Sequence, residues 1–301
     1  MSPDAPRTVE DISDEASASL SPVPPARVRG DALTIVHVYP HLLGTYGDAG
    51  NAIVLRHRAQ ARGLPVEVVV VQPGEAVPTM GDVYLLGGGE DAKQTAAAHE
   101  LREDGGIVAA AGRGAVLFGI CAGYQLLGET FLGVGGAVAP GLGLLDVRTD
   151  RLQTRAVGNM LARPVAGSGL PDLIGFENHG GATVLGSAAR PLGHVVVGVG
   201  NGDGEATEGA VQGHVYGTYL HGPALALNPA LADRLLATVV GELAPLDDVL
   251  CDRLRRHRLQ EVLPATARAG RRGRVTARLR GGRDTGASGA TATLSDVPTA
   301  R

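Results

Sequence analysis

One short segment, residues 115–125, changes character abruptly in its middle and constrains the fold more than any other. Residues 115–120 are apolar and typical of a buried strand, whereas Tyr124-Gln-Leu-Leu127 has the character of a helix. Glycines stand two before and two after Cys121, where they leave space for a sharp turn. A strand that turns at once into a helix is a nucleophile elbow, and here a cysteine is at its apex.

The elbow gives this cysteine a reactive setting. Its thiol is expected at the carboxyl edge of a sheet and at a helix N-terminus, where free N–H groups and the helix dipole favour the thiolate and can hold an oxyanion. The alternative is a buried cysteine that ends a core strand, and the flanking glycines make this the weaker interpretation. Cys121 is therefore the candidate nucleophile.

The two ends of the chain differ in composition from its middle. Residues 1–31 are rich in Pro, Ser, Ala and acids, residues 263–301 in Arg, Gly, Thr and Ala, and neither stretch has apolar periodicity. The sequence therefore predicts one domain over residues 32–262 between two disordered tails. With 301 residues and 44% hydrophobic content, the chain can bury a substantial core.

The last 51 residues carry an excess of positive charge. From Cys251 onward there are twelve arginines and four acids, although the whole chain has a formal net charge of −4. Such a stretch can contact nucleic acid, anionic lipid or an acidic partner. It contains no aromatic residue on which a base could stack, so we expect a solvated tail and no nucleic-acid partner.

Cysteine usage and hydropathy indicate the compartment. Two cysteines in a chain of this length do not make a disulfide framework, so Cys121 and Cys251 are interpreted as free thiols. The first residues lack a basic region followed by an apolar core, and every apolar run is too short to span a membrane. The expectation is a soluble, cytoplasmic protein with no membrane span.

The first half of the chain alternates between two kinds of segment. Short, mostly β-branched apolar runs are separated by stretches with helical spacing, an alternation typical of an α/β fold in which helices cover both faces of a mostly parallel sheet. The first helix is predicted to begin after Asp48 as N-cap and to end near Gly63, the second to cover 91–103, and the third to begin at the elbow. The predicted strands are 33–39, 66–71, 83–86 and 115–120.

After Pro140 the pattern changes to Gly- and Val-rich segments without long crossover helices. Two helices, 229–243 and 246–259, are predicted to close the domain. The predicted strands of this half are 142–147, 159–165, 173–176, 182–185, 194–199 and 211–219.

A cysteine nucleophile needs a base, and Gly217-Thr-Tyr-Leu-His-Gly-Pro223 offers one. His221 follows a predicted strand and precedes a Gly-Pro break, so it is expected on a loop at a sheet edge. A free thiol titrates near pH ~8.5, and an imidazole that takes its proton raises the reactive fraction at neutral pH. Taken alone, such a histidine is more often part of the surface or core, but paired with Cys121 it is the favoured base.

Acyl transfer also needs donors for a tetrahedral oxyanion. Three glycines, 87–89, end the strand 83–86 and allow backbone N–H groups to approach a ligand. We expect Gly88 and Gly89 to act with the N–H of Ala122. An ordinary strand-to-helix turn is the alternative.

A third polar group follows the predicted strand 173–176. Gly175-Phe-Glu-Asn-His-Gly-Gly181 collects an acid, an amide and an imidazole at a strand end. Glu177, Asn178 and His179 either line the site or form a hydrogen-bonded turn, and spacing alone favours neither.

Two kinds of site are not evident in the sequence. Lys93 is not part of a Gly-x4-Gly-Lys-Ser/Thr phosphate loop, and no Cys-x2-Cys or His-x3-His pair suggests a zinc site. We therefore expect no metal and no bound cofactor in this chain.

Taken together, these motifs resemble those of the class I glutamine amidotransferases, in their cobyric-acid-synthase-like branch. Within it the chain is similar to the glutaminase subunits of lipid II isoglutaminyl synthases. The resemblance covers roughly residues 33–262, and neither tail is included. Five motifs carry it: Tyr46-Gly-Asp-Ala-Gly-Asn51, Gly87-Gly-Gly-Glu-Asp91, Gly119-Ile-Cys-Ala-Gly-Tyr-Gln125, Gly175-Phe-Glu-Asn-His-Gly-Gly181 and Gly217-Thr-Tyr-Leu-His-Gly-Pro223.

The resemblance implies a glutaminase reaction. Cys121 would attack the side-chain amide of glutamine, His221 would pass a proton to the departing ammonia, and water would release glutamate from the thioester. Gln125 and Arg155 correspond to substrate-binding positions, and Arg151 is the alternative to Arg155 because the loop alignment is loose.

The resemblance also implies a partner. Ammonia would pass to a Mur-ligase-like (MurT-type) synthase subunit in a heterodimer, and that subunit would use ATP and Mg²⁺ to activate the D-glutamate of the lipid II stem peptide. Other interpretations are a glutaminase for corrin-ring amidation, a catalytically silent scaffold of the same fold, and a cysteine hydrolase without a synthase.

One position departs from the wider amidotransferase pattern. Many members have a glutamate two residues after the catalytic histidine, where this chain has Pro223. The orienting carboxylate is therefore sought elsewhere, either at Glu177 or, as the favoured hypothesis, on the synthase subunit.

Overall fold

Four apolar strands of the first half form the parallel centre of a six-stranded sheet. The computed structural model describes residues 32–263, so the predicted tails, 1–31 and 263–301, lie outside the described residues except for Leu263. The sheet order is β2-β1-β3-β4, followed by two strands from late in the chain. The four strands are β1 (Leu33–Val38), β2 (Val66–Val71), β3 (Val83–Leu86) and β4 (Val116–Ile120).

Helices connect these strands, as the alternation predicted. Helix α1 (Gly50–Gln60) joins β1 to β2, and α2 (Asp91–Asp104) and α3 (Gly106–Gly112) join β3 to β4. Helix α3 was not predicted. It is separated from α2 by Gly105, whose positive φ of 69° ends α2. Helix α4 (Ala122–Leu127) begins at the elbow, as expected.

The second half of the chain builds a mostly antiparallel sheet in the order β10-β9-β7-β5-β6, with β8 paired to β7. The hairpin of β5 and β6 was not predicted, whereas the predicted strand at 142–147 is absent apart from Val147. Strands 173–176 and 182–185 are parts of one long strand. The elements are β5 (Thr130–Leu132), β6 (Val138–Pro140), β7 (Val147–Pro164), β8 (Leu173–Leu185), β9 (Gly193–Val197) and β10 (Thr207–Glu208).

Two late strands return to the first sheet. The predicted strand 211–219 is in fact a hairpin of β11 (Ala210–Gln212) and β12 (Val215–Thr218). Strand β12 pairs parallel to β4, with Thr218 opposite Ile120. The ends of β4 and β12 therefore lie side by side, so the residues that follow them, Cys121 and His221, start from the same sheet edge.

Three helices end the described part of the chain: α5 (Ala224–Leu227), α6 (Pro229–Val240) and α7 (Val249–Val262). The last two were predicted with bounds shifted by up to three residues, and α5 was missed. Helix α6 begins with Pro229, whose missing N–H costs nothing at that position. None of the helices in residues 32–263 is long and apolar enough to cross a membrane.

A buried ion-pair cluster fastens α1 to the C-terminal helices. The Arg58 guanidinium lies 2.6 Å from an Asp233 oxygen and 2.7 Å from one of Asp248, and Arg62 also reaches Asp233 at 2.8 Å. Since Arg58 is only 5% exposed, its charge is held by these two carboxylates rather than by water. The cluster fixes α1, and with it the loop that precedes α1.

Candidate active site

The elbow has the strained backbone that its sequence predicts. Cys121 has φ 52° and ψ −106°, a conformation that L-residues rarely adopt. A Cβ on Gly119 would lie 2.7 Å from the Gly123 backbone, and one on Gly123 would lie 2.3 Å from the Leu86 carbonyl oxygen. Only glycine therefore fits on either side of the turn that presents Cys121.

Contacts with strand β8 and with the Glu208 side chain of β10 determine where His221 lies. The backbone of His221 exchanges two hydrogen bonds with Phe176 of β8, at 2.8 and 3.1 Å. The buried Glu208 carboxylate on β10 accepts the Tyr219 N–H at 3.1 Å and the Thr218 hydroxyl at 2.5 Å. Burial raises the pKa of Glu208 to about 7, against the lowering effect of these hydrogen bonds. The loop that carries His221 is thus held from both sides.

The His221 and Cys121 side chains converge on one point. His221 is 1% exposed, and a Cβ on Gly88 would lie 3.0 Å from its Cε1 atom and 3.6 Å from the Cβ of Cys121. The Nδ1 atom of His221 contacts a carboxylate, so Nε2 is the nitrogen left for the thiol. Nε2 is buried, and the Cys121 side chain is near enough to act on the ring.

The carboxylate on His221 belongs to Asp48. Its two oxygens lie 3.1 and 3.2 Å from Nδ1, and the side chain is 2% exposed. The prediction that Asp48 caps α1 is wrong, because Ala49 occupies the N-cap position and the Asp48 carboxylate points to the histidine instead. Helix α1 consequently starts without a side-chain cap.

The contact between Asp48 and His221 corrects the prediction that the orienting carboxylate is Glu177 or lies on a partner subunit. Glu177 accepts N–H groups from Val199 and Gly200 at 2.8 and 2.9 Å, so it is engaged in a turn and not with His221. The structure supplies the carboxylate from this chain, where the sequence had favoured a partner subunit. The sequence signal that could have identified Asp48 is its place in the glycine-rich loop after β1, at the same carboxyl edge of the sheet as the elbow.

Opposing effects act on the His221 imidazole. Burial lowers its pKa, but the hydrogen bond to Asp48 and the nearby Asp48 and Cys121 side chains outweigh burial and raise the pKa to about 9. The ring is therefore protonated at neutral pH in the resting site.

One of the three expected oxyanion donors already forms a hydrogen bond within the chain. The Gly88 N–H donates to the Oδ2 atom of Asp48 at 2.8 Å, so the prediction for Gly88 is corrected. Gly89 and Ala122 both border the cavity next to Cys121. Ala122 is the first residue of α4, where an N–H has no acceptor within the helix. For Gly89 and Ala122 the role of oxyanion donor stays a prediction.

A cavity of about 470 Å³ opens in front of Cys121. Arg151 and Arg155 line it, and so do the acids Glu90, Asp91 and Asp150. Of the predicted site residues, Gly88, Glu177 and His221 are not part of the lining. Those that line it are Gly89, Cys121, Ala122, Gln125, Arg155, Asn178 and His179.

Gln125 is fixed from both sides of its amide. Its oxygen accepts the Nε2–H of Gln94 at 2.8 Å, and its nitrogen donates to the Tyr219 hydroxyl at 3.0 Å. The Tyr219 hydroxyl also forms a hydrogen bond with the Thr183 hydroxyl at 2.7 Å. Gln94 lies on α2 and lines the cavity, and no motif in the sequence pointed to it.

His179 and Asn178 take different places in the wall. The His179 ring stacks on Tyr219 with centroids 3.7 Å apart, and its Nδ1 bonds the Gly181 carbonyl at 3.0 Å. Asn178 accepts the Arg155 Nε–H at 2.7 Å and donates to the Tyr46 hydroxyl at 2.6 Å. Asn178 and His179 thus border the cavity, and Glu177 does not. Residues 32–263 hold no group of three or more His, Cys, Asp or Glu side chains placed to bind a metal.

The sequence is similar to those of known proteins over most of the described region. A family model described as a CobB/CobQ-like glutamine amidotransferase domain matches residues 34–229. The GatD subunit of lipid II isoglutaminyl synthase (glutamine-hydrolyzing) from Staphylococcus aureus is 37% identical over 206 residues, which are 68% of this chain and 83% of that protein. The same subunit from Streptococcus pneumoniae is 34% identical over 212 residues, 69% of this chain and 80% of that protein.

A second kind of relative matches over a smaller share of its length. The cobyric acid synthase of Sphingopyxis alaskensis is 37% identical over 188 residues, which are 58% of this chain and 35% of that protein. The chain therefore aligns with about a third of that synthase, but with most of each GatD subunit.

Proposed function

Because the chain belongs to the CobB/CobQ-like glutamine amidotransferase domain family, we propose that it hydrolyses L-glutamine to glutamate and ammonia as the glutaminase subunit of a lipid II amidating enzyme in peptidoglycan synthesis. The observation that carries the proposal is the buried set of Cys121, His221 and Asp48 at the end of a cavity lined by arginines and acids. An α-amino acid has a carboxylate and an ammonium group, and such a wall offers a partner to each.

The reaction begins at the elbow. The Sγ atom of Cys121 attacks the side-chain amide carbon of glutamine, and the N–H groups of Gly89 and Ala122 stabilise the tetrahedral oxyanion. His221 donates its Nε2 proton to the amide nitrogen, the C–N bond breaks, and ammonia leaves a thioester on Cys121. His221 then takes a proton from water, which attacks the thioester and releases glutamate and the thiol. Asp48 holds the Nδ1–H throughout and stabilises the imidazolium.

Binding at the far end of glutamine is assigned to Arg155, with Gln125 beside the reacting amide. Arg155→Ala is expected to lower kcat/KM for glutamine about 10- to 100-fold, since a charge-assisted hydrogen bond contributes about 1.5–3 kcal/mol. The expected loss is mainly in KM, because the reacting atoms are unchanged. Steady-state kinetics of glutamate release measure it.

The matched control is Arg148→Ala on the same strand. Arg148 pairs with Glu129 at 2.6 Å on an exposed surface outside the cavity lining, so its loss should leave both constants unchanged. A normal KM in Arg155→Ala would remove Arg155 from the substrate site, and a raised KM in Arg151→Ala would transfer the role to that residue.

A second prediction concerns pH. The imidazolium form of His221 donates the proton to ammonia, and its pKa is raised to about 9. We therefore expect kcat/KM to fall as the pH rises through about 9, and not near 6.5, the ordinary value for histidine. A pH profile from neutral pH to about pH 10 tests this. A basic limb at the ordinary value would show that Asp48 and Cys121 do not hold the proton on the ring.

Ammonia released in the open is mostly protonated at neutral pH and is then no nucleophile. The proposal therefore includes a second subunit, a Mur-ligase-like (MurT-type) protein that holds ATP and Mg²⁺, activates the D-glutamate carboxyl of the lipid II stem peptide and receives the ammonia. The two chains would form a cytoplasmic heterodimer, since ATP and the precursor's stem peptide meet there. The GatD relatives support a second subunit because each is named as a subunit of a lipid II isoglutaminyl synthase.

Co-purification from the native host tests the partner. A Mur-ligase-like protein that comes with the tagged chain, together with glutamine-dependent amidation of lipid II, supports the proposal. A corrin-modifying enzyme would instead support corrin-ring amidation, which the cobyric acid synthase relatives favour. With no partner, glutaminase activity lost in Cys121→Ala would indicate a stand-alone hydrolase, and no glutaminase activity in the wild type would indicate a scaffold.

A further inference from the structure

Three side chains from three different elements meet at the cavity wall. Tyr46 comes from the loop between β1 and α1, Arg155 from the segment of β7 where its pairing with β8 shifts, and Asn178 from β8. The Asn178 amide bonds both of the others, at 2.7 Å to the Arg155 Nε atom and 2.6 Å to the Tyr46 hydroxyl. We call this set the Tyr46–Asn178–Arg155 bridge.

Chemistry fixes the direction of both hydrogen bonds. A guanidinium group can only donate, so the amide oxygen of Asn178 must face Arg155. The amide NH₂ therefore faces Tyr46, and the tyrosine oxygen is the acceptor. As a result the hydroxyl proton of Tyr46 is not used in the bridge and can be donated to a ligand in the cavity.

The same bonds orient Arg155. Its Nε–H and one Nη2–H donate to the side-chain and backbone oxygens of Asn178, at 2.7 and 3.3 Å. The Nη1 group takes no part in these two hydrogen bonds. It lies beside Gly180, 3.9 Å from the position that a Cβ on that residue would take. Four of the residues in or beside the bridge line the cavity: Tyr46, Arg155, Asn178 and Gly180.

Tyr46 links the bridge to the catalytic histidine. Its ring meets the His221 ring edge to face, with centroids 5.0 Å apart and an angle of 69°. The residue has a φ of 61°, an unfavourable backbone for tyrosine that costs about 1–3 kcal/mol. Such a conformation persists only where the surroundings hold it, and here Asn178 holds the hydroxyl end and His221 the ring.

We propose that Asn178 is a positioning residue for substrate recognition: it aims the Nη edge of Arg155 and the free hydroxyl proton of Tyr46 at the α-carboxylate of the substrate. Tyr46 is then a second contact for that carboxylate and a specificity-determining residue. This inference rests on the proposed function, because it takes glutamine as the molecule whose carboxylate reaches Arg155.

The aspartate variant of Asn178 separates this role from a merely structural one. In Asn178→Asp both oxygens can accept, so the contacts to Arg155 and Tyr46 are kept. However, the Tyr46 proton is then consumed by the new carboxylate, and the charge of Arg155 is neutralised. If the bridge serves substrate binding, Asn178→Asp should raise KM for glutamine at least as much as Asn178→Ala, about tenfold or more, with a smaller change in kcat.

Two further variants complete the kinetic test. Tyr46→Phe keeps the ring against His221 and removes only the hydroxyl, so we expect KM to rise about five- to tenfold while kcat stays within about twofold. Asn159→Asp is the matched control: Asn159 is another β7 residue that accepts from an arginine, Arg258, at 2.7 Å, but it lies outside the cavity lining. Its kinetic constants should equal those of the wild type.

Alkylation of Cys121 provides a readout that does not require hydrolysis. The full chain is treated with iodoacetamide, which has no amino acid end, and with a glutamine-shaped chloroketone that has one. Asn178→Asp and Tyr46→Phe should slow labelling by the chloroketone several-fold and leave the iodoacetamide rate unchanged. If the wild type does not hydrolyse glutamine, the proposed function fails, yet the ratio of the two labelling rates still tests the bridge.

Two results would overturn the inference. One is an Asn178→Asp enzyme with a near-normal KM and labelling ratio while Asn178→Ala is impaired, since this would show that the contacts only hold the fold. The other is a Tyr46→Phe enzyme that matches the wild type in both readouts.

Discussion

Cys121→Ala is expected to abolish glutamate release, with a fall in kcat of at least about 10⁴-fold, because no other group can form the thioester. Thermal unfolding should change little, since the side chain is small and the alanine keeps the Cβ that the strained turn already accommodates. The measurement is glutamate formation by the full chain, with its partner present if the isolated chain is slow.

Cys251→Ala is the matched control for this prediction. Cys251 is exposed on α7, whereas Cys121 is buried at the sheet edge, and both are free thiols. The Cys251→Ala enzyme should keep most of its activity and should still be inactivated by alkylation. Equal behaviour of the two variants would contradict the assignment of the nucleophile.

Local rules predicted the elbow and the first sheet well. Strands β2 and β3 have their predicted bounds, because β2 is mostly valine and ends before Gln72, and β3 is apolar throughout and ends before Gly87. The shape of the elbow could be deduced from two glycines, since only their lack of a Cβ lets β4 turn into α4 at Cys121.

The second sheet was harder to predict because its strands are only partly buried. Strand β7 runs for 18 residues, and its exposed middle carries arginines and polar residues that interrupt any apolar run. The sequence therefore suggested a shorter strand, beginning at residue 159. The three-residue strands β5 and β6 offer too few positions for an alternating pattern to be seen.

The candidate site shows the same division between local and long-range information. Gln125 and Ala122 follow from the elbow motif itself, and the structure places both at the cavity. Asp48, Gln94 and Tyr46 depend on contacts across many residues, such as the 173 that separate Asp48 from His221. An aspartate just before a helix is commonly an N-cap, so its local setting pointed to the wrong role.

The role of Asp48 leads to the second large expected effect. Asp48→Asn keeps the size of the side chain but removes the charge that stabilises the imidazolium, and its amide can present N–H groups to a ring nitrogen that should donate. By analogy with catalytic triads, kcat should fall between about a hundredfold and about ten thousandfold. The basic limb of the pH profile should also move below about 9, because the hydrogen bond and charge of Asp48 contribute to the raised pKa of His221.

Glu177→Gln provides the comparison, since Glu177 was the other acid considered within this chain. Its carboxylate accepts the N–H groups of Val199 and Gly200, so Glu177→Gln should act mainly on stability. We expect a lower melting temperature and only a small change in kcat. A carboxylate from the partner subunit makes a different prediction: Asp48→Asn would then be slow alone and recover the wild-type rate in the complex. If the variant stays slow with the partner bound, the carboxylate that orients His221 comes from the loop after β1, and the elbow, base and acid all belong to one sheet edge of this chain.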